Sequence, residues 1–330
     1  MRQLIAAVVF CLACKCANAQ DIQLDLPIDC KLNVDCFVQS YVDTDPGPGA
    51  KDFACGHATN DGHKGTDFRL VSFRDVTRNV PVIASAAGRV TGTRDGVPDA
   101  LFEAGDKDRL VGRECGNGVV IDHGKGWVTQ YCHLKRSSIA VSKGDVVRTG
   151  QQLGSVGSSG MSAFAHVHLS VRYNKKIVDP FIGIDDATGC SRNAGLPAGT
   201  LWSVRAQQGL LRTGVQVIEL GFTGERIAKG QSERGIPANL TPVSPALLTF
   251  ARLINPVKGD VIKLALDGPD GFRIPVRPIT MPRNKASYMV FTGKKRRATR
   301  WPAGDYVARI SVLRGGRIIL ARQAGFTMPD

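Results

Sequence analysis

From Pro81 to Asp179 the chain alternates short runs of β-branched and aromatic residues with glycines, and no long apolar repeat of helical period interrupts them. Val119-Val120-Ile121-Asp122 and Trp127-Val128-Thr129-Gln130-Tyr131 flank His123-Gly124-Lys125-Gly126, whose glycines can take the positive φ of a tight hairpin. The stretch from Val141 to Gly154 repeats the habit, with Gly144-Asp145 and Gly150 as its breaks. This pattern predicts an antiparallel β structure, either two sheets folded on each other or a partly closed barrel.

After Thr200 the pattern is again β. Val215 to Leu220, Leu247 to Leu253, Val261 to Ala265, Ala286 to Phe291, Tyr306 to Leu313 and Arg317 to Leu320 are short strands with turn residues between them. Tyr306, Ala308, Ile310 and Val312 alternate with more polar neighbours, as burial of one face requires. The fold class expected is therefore all-β, with a small immunoglobulin-like sandwich after the first β unit. The segment DATGCSRNAGLPAGT, residues 186–200, is small and polar, and the joint is placed near Gly195. That gives a first unit over residues 20–195 and a second over residues 196–330.

Charge divides at the same place. Residues 200–330 hold 21 Lys and Arg against 8 Asp and Glu, which is nearly the whole of the chain's net charge of +14. The run Lys294-Lys295-Arg296-Arg297, with Arg300 and Trp301 beside it, offers a contact for anionic polymers, lipid head groups or an acidic protein, or is a solvated basic face. No nucleic-acid-binding motif is visible, and nucleic acid is a poor partner for an exported chain.

Export is read from the first residues. Arg2 precedes an apolar run from Leu4 to Ala13, and Ala17-Asn18-Ala19 before Gln20 fits a signal peptidase, so residues 1–19 are expected to be a signal peptide cleaved after Ala19. A lipid anchor on Cys14 is disfavoured, because Cys11 stands where an aliphatic residue is wanted. The apolar run is too short to span a bilayer and no later segment reaches that length, so no transmembrane segment is expected. Cleavage leaves Cys30, Cys36, Cys55, Cys115, Cys132 and Cys190, an even set that predicts three disulfides in an oxidising compartment, periplasmic or secreted, without fixing their pairing. Metal ligation by cysteine is the weaker reading: these six include no Cys-x-x-Cys pair, and on an extended strand Cys132 would point away from His133.

The candidate chemistry lies in five residues. All six histidines fall between residues 57 and 168. His57 reads as a loop residue and His123 as part of the hairpin turn, which leaves His63 and Asp67 in GHKGTDF, His133 in TQYCHL, and His166 and His168 in AHVHLS. On a strand His166 and His168 project from one face, while Ala165, Val167 and Leu169 turn into apolar packing. Imidazole and carboxylate groups of this type make up hydrolytic zinc sites, which take three protein ligands and keep a position open for water.

The order His63-x-Gly65-x-Asp67, then Tyr131-Cys132-His133-Leu134, then Gly157-Ser158-Ser159-Gly160 leading to His166-Val167-His168 resembles the lysostaphin/LytM-type zinc metallopeptidases, over about residues 60–180. The resemblance implies that His63, Asp67 and His168 bind Zn2+ and that His133 and His166 are the catalytic imidazoles. It also implies an exported zinc metalloendopeptidase acting on peptide cross-links of bacterial peptidoglycan. Two other functions fit the same residues: a non-catalytic wall-binding or regulatory module, and a zinc peptidase whose substrate is an extracellular protein. The stretch between Gly92 and Gly116 is longer than in many such peptidases; it reads as a surface loop, with a rim over the cleft as the alternative.

Overall fold

The computed structural model describes residues 22–106, 108–184, 190, 195–210, 214–228 and 230–330. The expected signal peptide lies outside them. The strands are β1 (Cys36–Ser40), β2 (Thr66–Leu70), β3 (Pro81–Ile83), β4 (Gly88–Arg94), β5 (Asn117–Gly124), β6 (Trp127–Leu134), β7 (Val146–Val147), β8 (Gln152–Ser155), β9 (His166–Tyr173) and β10 (Lys176–Val178). After the helix α1 (Val204–Leu210) come β11 (Gln216–Thr223), the single-turn helix α2 (Gln231–Arg234), β12 (Ala246–Ile254), β13 (Val261–Asp267), β14 (Arg273–Ile274), β15 (Ile279–Thr280), β16 (Ser287–Lys295), β17 (Gly304–Arg314) and β18 (Arg317–Met328). The expected all-β class holds, and the strand pairings are antiparallel.

The first unit is built on an eight-stranded sheet in the order β1-β2-β9-β6-β5-β4-β7, with β10 on β9, and a two-stranded sheet β3-β8. The alternation along β9 sets it up. Val167, Leu169 and Val171 are fully buried in the core, joined by Val119, Ile121 and Tyr131 from β5 and β6. The opposite face is left for His166, His168, Ser170 and Arg172. The hairpin forms where expected: Gly124, Lys125 and Gly126 all have positive φ at the β5–β6 turn, and a Cβ at Gly126 would lie 2.2 Å from the Asn174 Oδ1.

Three disulfides form among the six cysteines, Cys30–Cys36, Cys55–Cys190 and Cys115–Cys132. Leu201, Trp202, Ala206 and Leu210 pack into the first core, so the chain leaves that core after α1, later than the joint expected at Gly195.

The second unit is a sandwich of a three-stranded sheet, β11-β12-β16, and a five-stranded sheet, β14-β13-β17-β18 with β15 on β13. Val217, Ala251 and Leu253 of the smaller sheet meet Ile262, Leu264, Ile310 and Val312 of the larger one. Tyr306, Ala308, Ile310 and Val312 are buried as their alternation predicts. The two units touch through Phe37 and Val71 on one side and Ile218 and Ile254 on the other. The Asn255 side chain also donates to the Gln39 carbonyl at 2.8 Å. Among the described residues no helix is long and apolar enough to cross a membrane.

Candidate metal centre

The five residues singled out from the sequence come together on the face of the first sheet that looks away from its core, at the bottom of a cleft. Asp67 on β2 and His168 on β9 are cross-strand partners, and Asp67 Oδ1 lies 2.8 Å from His168 Nδ1. His63 sits in the turn before β2, its Nε2 3.2 Å from Asp67 Oδ2. His166 lies two residues before His168, with Nε2 3.5 Å from Asp67 Oδ1. His133, at the end of β6, places its ring centroid 4.6 Å from that of His166 and 6.0 Å from that of His168. His57 and His123 stay apart from this group: His57 is on an exposed loop, and His123 bonds the Ala87 carbonyl and Thr129.

Gly65 lets the His63 turn close on β9. A Cβ there would fall 2.5 Å from His168 Nε2 and 2.6 Å from the Leu169 carbonyl oxygen, so only glycine lets the turn pass over the imidazole.

The outer hydrogen bonds fix which nitrogen of each ring carries the proton. A carbonyl only accepts, so the contacts of His63 Nδ1 with Tyr41 O (2.6 Å), His133 Nδ1 with Ser159 O (2.8 Å) and His166 Nδ1 with Phe164 O (2.8 Å) are N–H donations. Ser170 spends its hydroxyl proton on the Lys64 carbonyl at 2.7 Å, so at 3.1 Å it accepts from His168 Nε2–H. When the rings are neutral, as metal binding requires, four ring nitrogens are thereby left without a proton: Nε2 of His63, His133 and His166, and Nδ1 of His168. Those of His63, His166 and His168 lie within 3.5 Å of the Asp67 carboxylate, which also has no proton to give, and that of His133 lies beside His166 and His168. Two overlapping sets, His63 with Asp67 and His168, and His133 with His166 and His168, keep their ligand atoms within 4.8 Å of one another. A buried meeting of lone pairs with a carboxylate is the donor set of a cation, and N and O ligands oriented by outer hydrogen bonds suit a divalent transition metal. The residues fit the group.

Charge in the site follows from burial and from Asp67. Burial pushes the His63 imidazole down, but the Asp67 carboxylate outweighs it and holds the group up at about 9. Burial likewise opposes ionisation of Asp67, yet the surrounding imidazoles hold its carboxyl well below the usual range. His166 is pushed down to about 4 and His133 also falls well below the ordinary histidine range, both chiefly by burial.

His133 departs from the strand expected for it. Its φ is +64°, a left-handed conformation uncommon outside glycine, and its N–H donates to the Cys115 carbonyl at 2.8 Å. Cys132 is the cross-strand partner of His168 and so already faces the site. The expectation that Cys132 and His133 point to opposite faces fails for this reason: the left-handed residue turns the imidazole back onto the face that Cys132 occupies, and both line the cleft.

That cleft has a volume of about 730 Å³. Gln39 and Ser40 of β1 form part of its wall, Gln130 and Arg172 extend its floor, and Ala286 comes from the sandwich. The insert is a rim, not the free loop favoured from the sequence. Its Glu114 and Cys115 line the cleft, Asp99 accepts from the Ser158 N–H (2.8 Å) and the Arg136 N–H (2.9 Å), and the Phe102 N–H donates to the Ser162 carbonyl (2.8 Å). Sequence reasoning missed Ser170, whose signal was its place two residues after His168 on the same face, and it missed the insert's pairing with residues 158–162, which leaves no local signal.

Residues 61–180 match the profile of peptidase family M23. The chain carries a peptidase family M23 domain. Peptidoglycan DD-endopeptidase ShyA of Vibrio cholerae is 36% identical over 106 residues, which is 32% of this chain and 19% of that protein. Cell division protein DipM of Caulobacter vibrioides is 32% identical over 110 residues, 33% of this chain and 15% of that protein. This chain thus spans a fifth or less of the length of these relatives. Among solved structures, a catalytic domain of the prophage-encoded M23 protein EnpA from Enterococcus faecalis is 25% identical with a TM-score of 0.30, covering 43% of this chain and 87% of that one. A putative M23 peptidase from Pseudomonas aeruginosa is 27% identical with a TM-score of 0.30, covering 49% of each.

Proposed function

We propose that the protein is an exported zinc metalloendopeptidase, periplasmic or secreted, that hydrolyses peptide cross-links in bacterial peptidoglycan. The observation that carries this reading is the meeting of the His63, His166 and His168 ring nitrogens at Asp67, with His133 beside them, in an open cleft. In it His63, Asp67 and His168 hold the metal, and His133 and His166 act on the substrate. The relatives named for peptidoglycan endopeptidase activity support the substrate class.

A zinc ion bound there would supply Lewis-acid polarisation of the scissile carbonyl and a more acidic water. The rest belongs to the chain. His133 and His166 enter with Nδ1–H fixed to the Ser159 and Phe164 carbonyls, so each presents Nε2 as the proton acceptor. Once protonated, either Nε2–H can stabilise the developing oxyanion or deliver its proton to the leaving amine. The insert and β1 both line the cleft, where they would contact a bound peptide. The basic hollow lined by Lys294, Lys295, Arg297 and Arg300 is, in the same reading, a contact for anionic envelope polymers.

The test is digestion of purified peptidoglycan by the zinc-loaded protein, with a chelated control and mass analysis of the released muropeptides. Chelator-sensitive loss of cross-linked species is expected. An intact wall with zinc stoichiometrically bound would overturn the assignment.

A further inference from the structure

Arg69 lies two residues beyond Asp67 on the same face of β2 and is the cross-strand partner of His166. Its side chain is fully buried. The guanidinium donates to the Gln39 side-chain oxygen, to the Leu70 carbonyl at 2.9 Å and the Val71 carbonyl at 3.1 Å, and to the Glu233 carboxylate at 2.6 Å. It stands over the Phe164 ring, with Cζ 4.8 Å from the centroid. Phe164 in turn stacks on the His166 imidazole, centroids 4.3 Å apart and planes 30° from parallel, while its carbonyl accepts from His166 Nδ1.

Glu233 is on α2, in the second unit, 164 residues away in sequence. It also accepts from Arg252 at 2.8 Å, and Arg252 reaches back to the Val71 carbonyl at 2.7 Å and to Glu219 at 3.1 Å. Two buried guanidinium groups therefore share Glu233. Without it Arg69 would be an uncompensated buried cation beside a second one, a state costly enough to make the side chain move.

We propose that Glu233 is a positioning residue for the site: by holding Arg69 over Phe164 it fixes the ring against which His166 is set, so the sandwich is a working part of the catalytic centre. The proposal rests on the catalytic role assigned above to His166. Ala286 of the same unit also reaches the cleft wall. It also gives the contact between the units a purpose beyond adhesion, since an imidazole that transfers protons works only within a narrow range of orientation.

The test uses the full metal-loaded chain and compares Glu233→Gln with Glu219→Gln, which removes a charge from the same interface but leaves every hydrogen bond of Arg69 in place. Four quantities are read: kcat and KM on a soluble cross-linked muropeptide, zinc affinity, the His166 ring resonances, and the thermal midpoint. In E233Q we expect kcat lower by about tenfold or more with KM within about twofold, shifted His166 resonances, and unchanged zinc affinity. In E219Q the thermal midpoint falls while kcat and the His166 resonances stay. Should E233Q fail to fold, Phe164→Leu carries the test, because it leaves the Glu233–Arg69 pair in place and is expected to shift His166 and lower kcat at constant zinc affinity. Unmoved His166 resonances with unchanged kcat in the folded variant, or rate losses in both Glu variants that only follow their thermal midpoints, would overturn the link. A wild-type protein that spares the muropeptide while E233Q still moves His166 would count against the peptidase reading and for the link.

Discussion

Asp67 and His168 face each other across adjacent strands, and the bare Nδ1 of His168 points at Asp67 Oδ1 from 2.8 Å. Neither atom carries a proton to share once His168 Nε2–H is committed to Ser170. The pair is therefore arranged for a cation between its lone pairs and is not a simple hydrogen bond.

His168→Ala is expected to lose zinc and activity together, whereas His133→Ala keeps zinc and loses about 10²- to 10⁴-fold in rate. Metal analysis of the purified variants alongside kinetics checks this. Stoichiometric zinc in the first, or wild-type turnover in the second, would show the roles to be misassigned.

Ser170→Ala removes the acceptor that holds His168 in its tautomer, and zinc affinity should fall by about 10- to 100-fold. Ser170→Thr should restore most of it. Competition with a chromophoric chelator measures both, and an unchanged affinity in the alanine variant would remove Ser170 from the metal centre.

Gly65→Ala places a methyl against His168 and the Leu169 backbone, and the expected cost is about 1–3 kcal/mol together with weakened metal binding. Gly92→Ala is the comparison, since nothing lies within 4 Å of the added Cβ. Denaturant unfolding of the two proteins should separate them clearly.

Glu233 also sets an acid limit on stability. The Arg69 and Arg252 guanidinium groups outweigh the effect of burial and hold its carboxyl below the ordinary glutamate value. A lowered folded-state value means that the contribution is complete above the unfolded value, declines as pH falls below it, and is gone below the folded value. Thermal midpoints across the acid range should therefore fall less steeply in Glu233→Gln than in the wild type. Parallel curves would mean that folding does not lower the Glu233 carboxyl.

The residues of the metal centre were legible because the chemistry is local in sequence. His166 and His168 share a strand face, so their spacing predicts that they point together, whereas His63 and Asp67 were singled out by the order of motifs that resembles the lysostaphin/LytM-type peptidases. His133 was identified, but its direction was misjudged, because alternation assumes extended backbone and this residue is left-handed. The all-β class followed from the glycine-punctuated pattern, and the sandwich strands from theirs. What spacing could not reveal are contacts made by closure of the fold: the insert against residues 158–162, and Glu233 against Arg69. Such pairs consist of ordinary charged or polar residues far apart in the chain, and nothing nearby marks them.

The Cys55–Cys190 disulfide joins residues separated by 135 positions, and every residue of the metal centre lies between them. The segment that carries the chemistry is thus a covalently closed ring. A single cut in the rim or in the hairpin turn would release no fragment: the ends would stay tethered, and the strands holding the site could pair again. Tolerance of a nick is thus built into connectivity, independent of how tightly the core is packed.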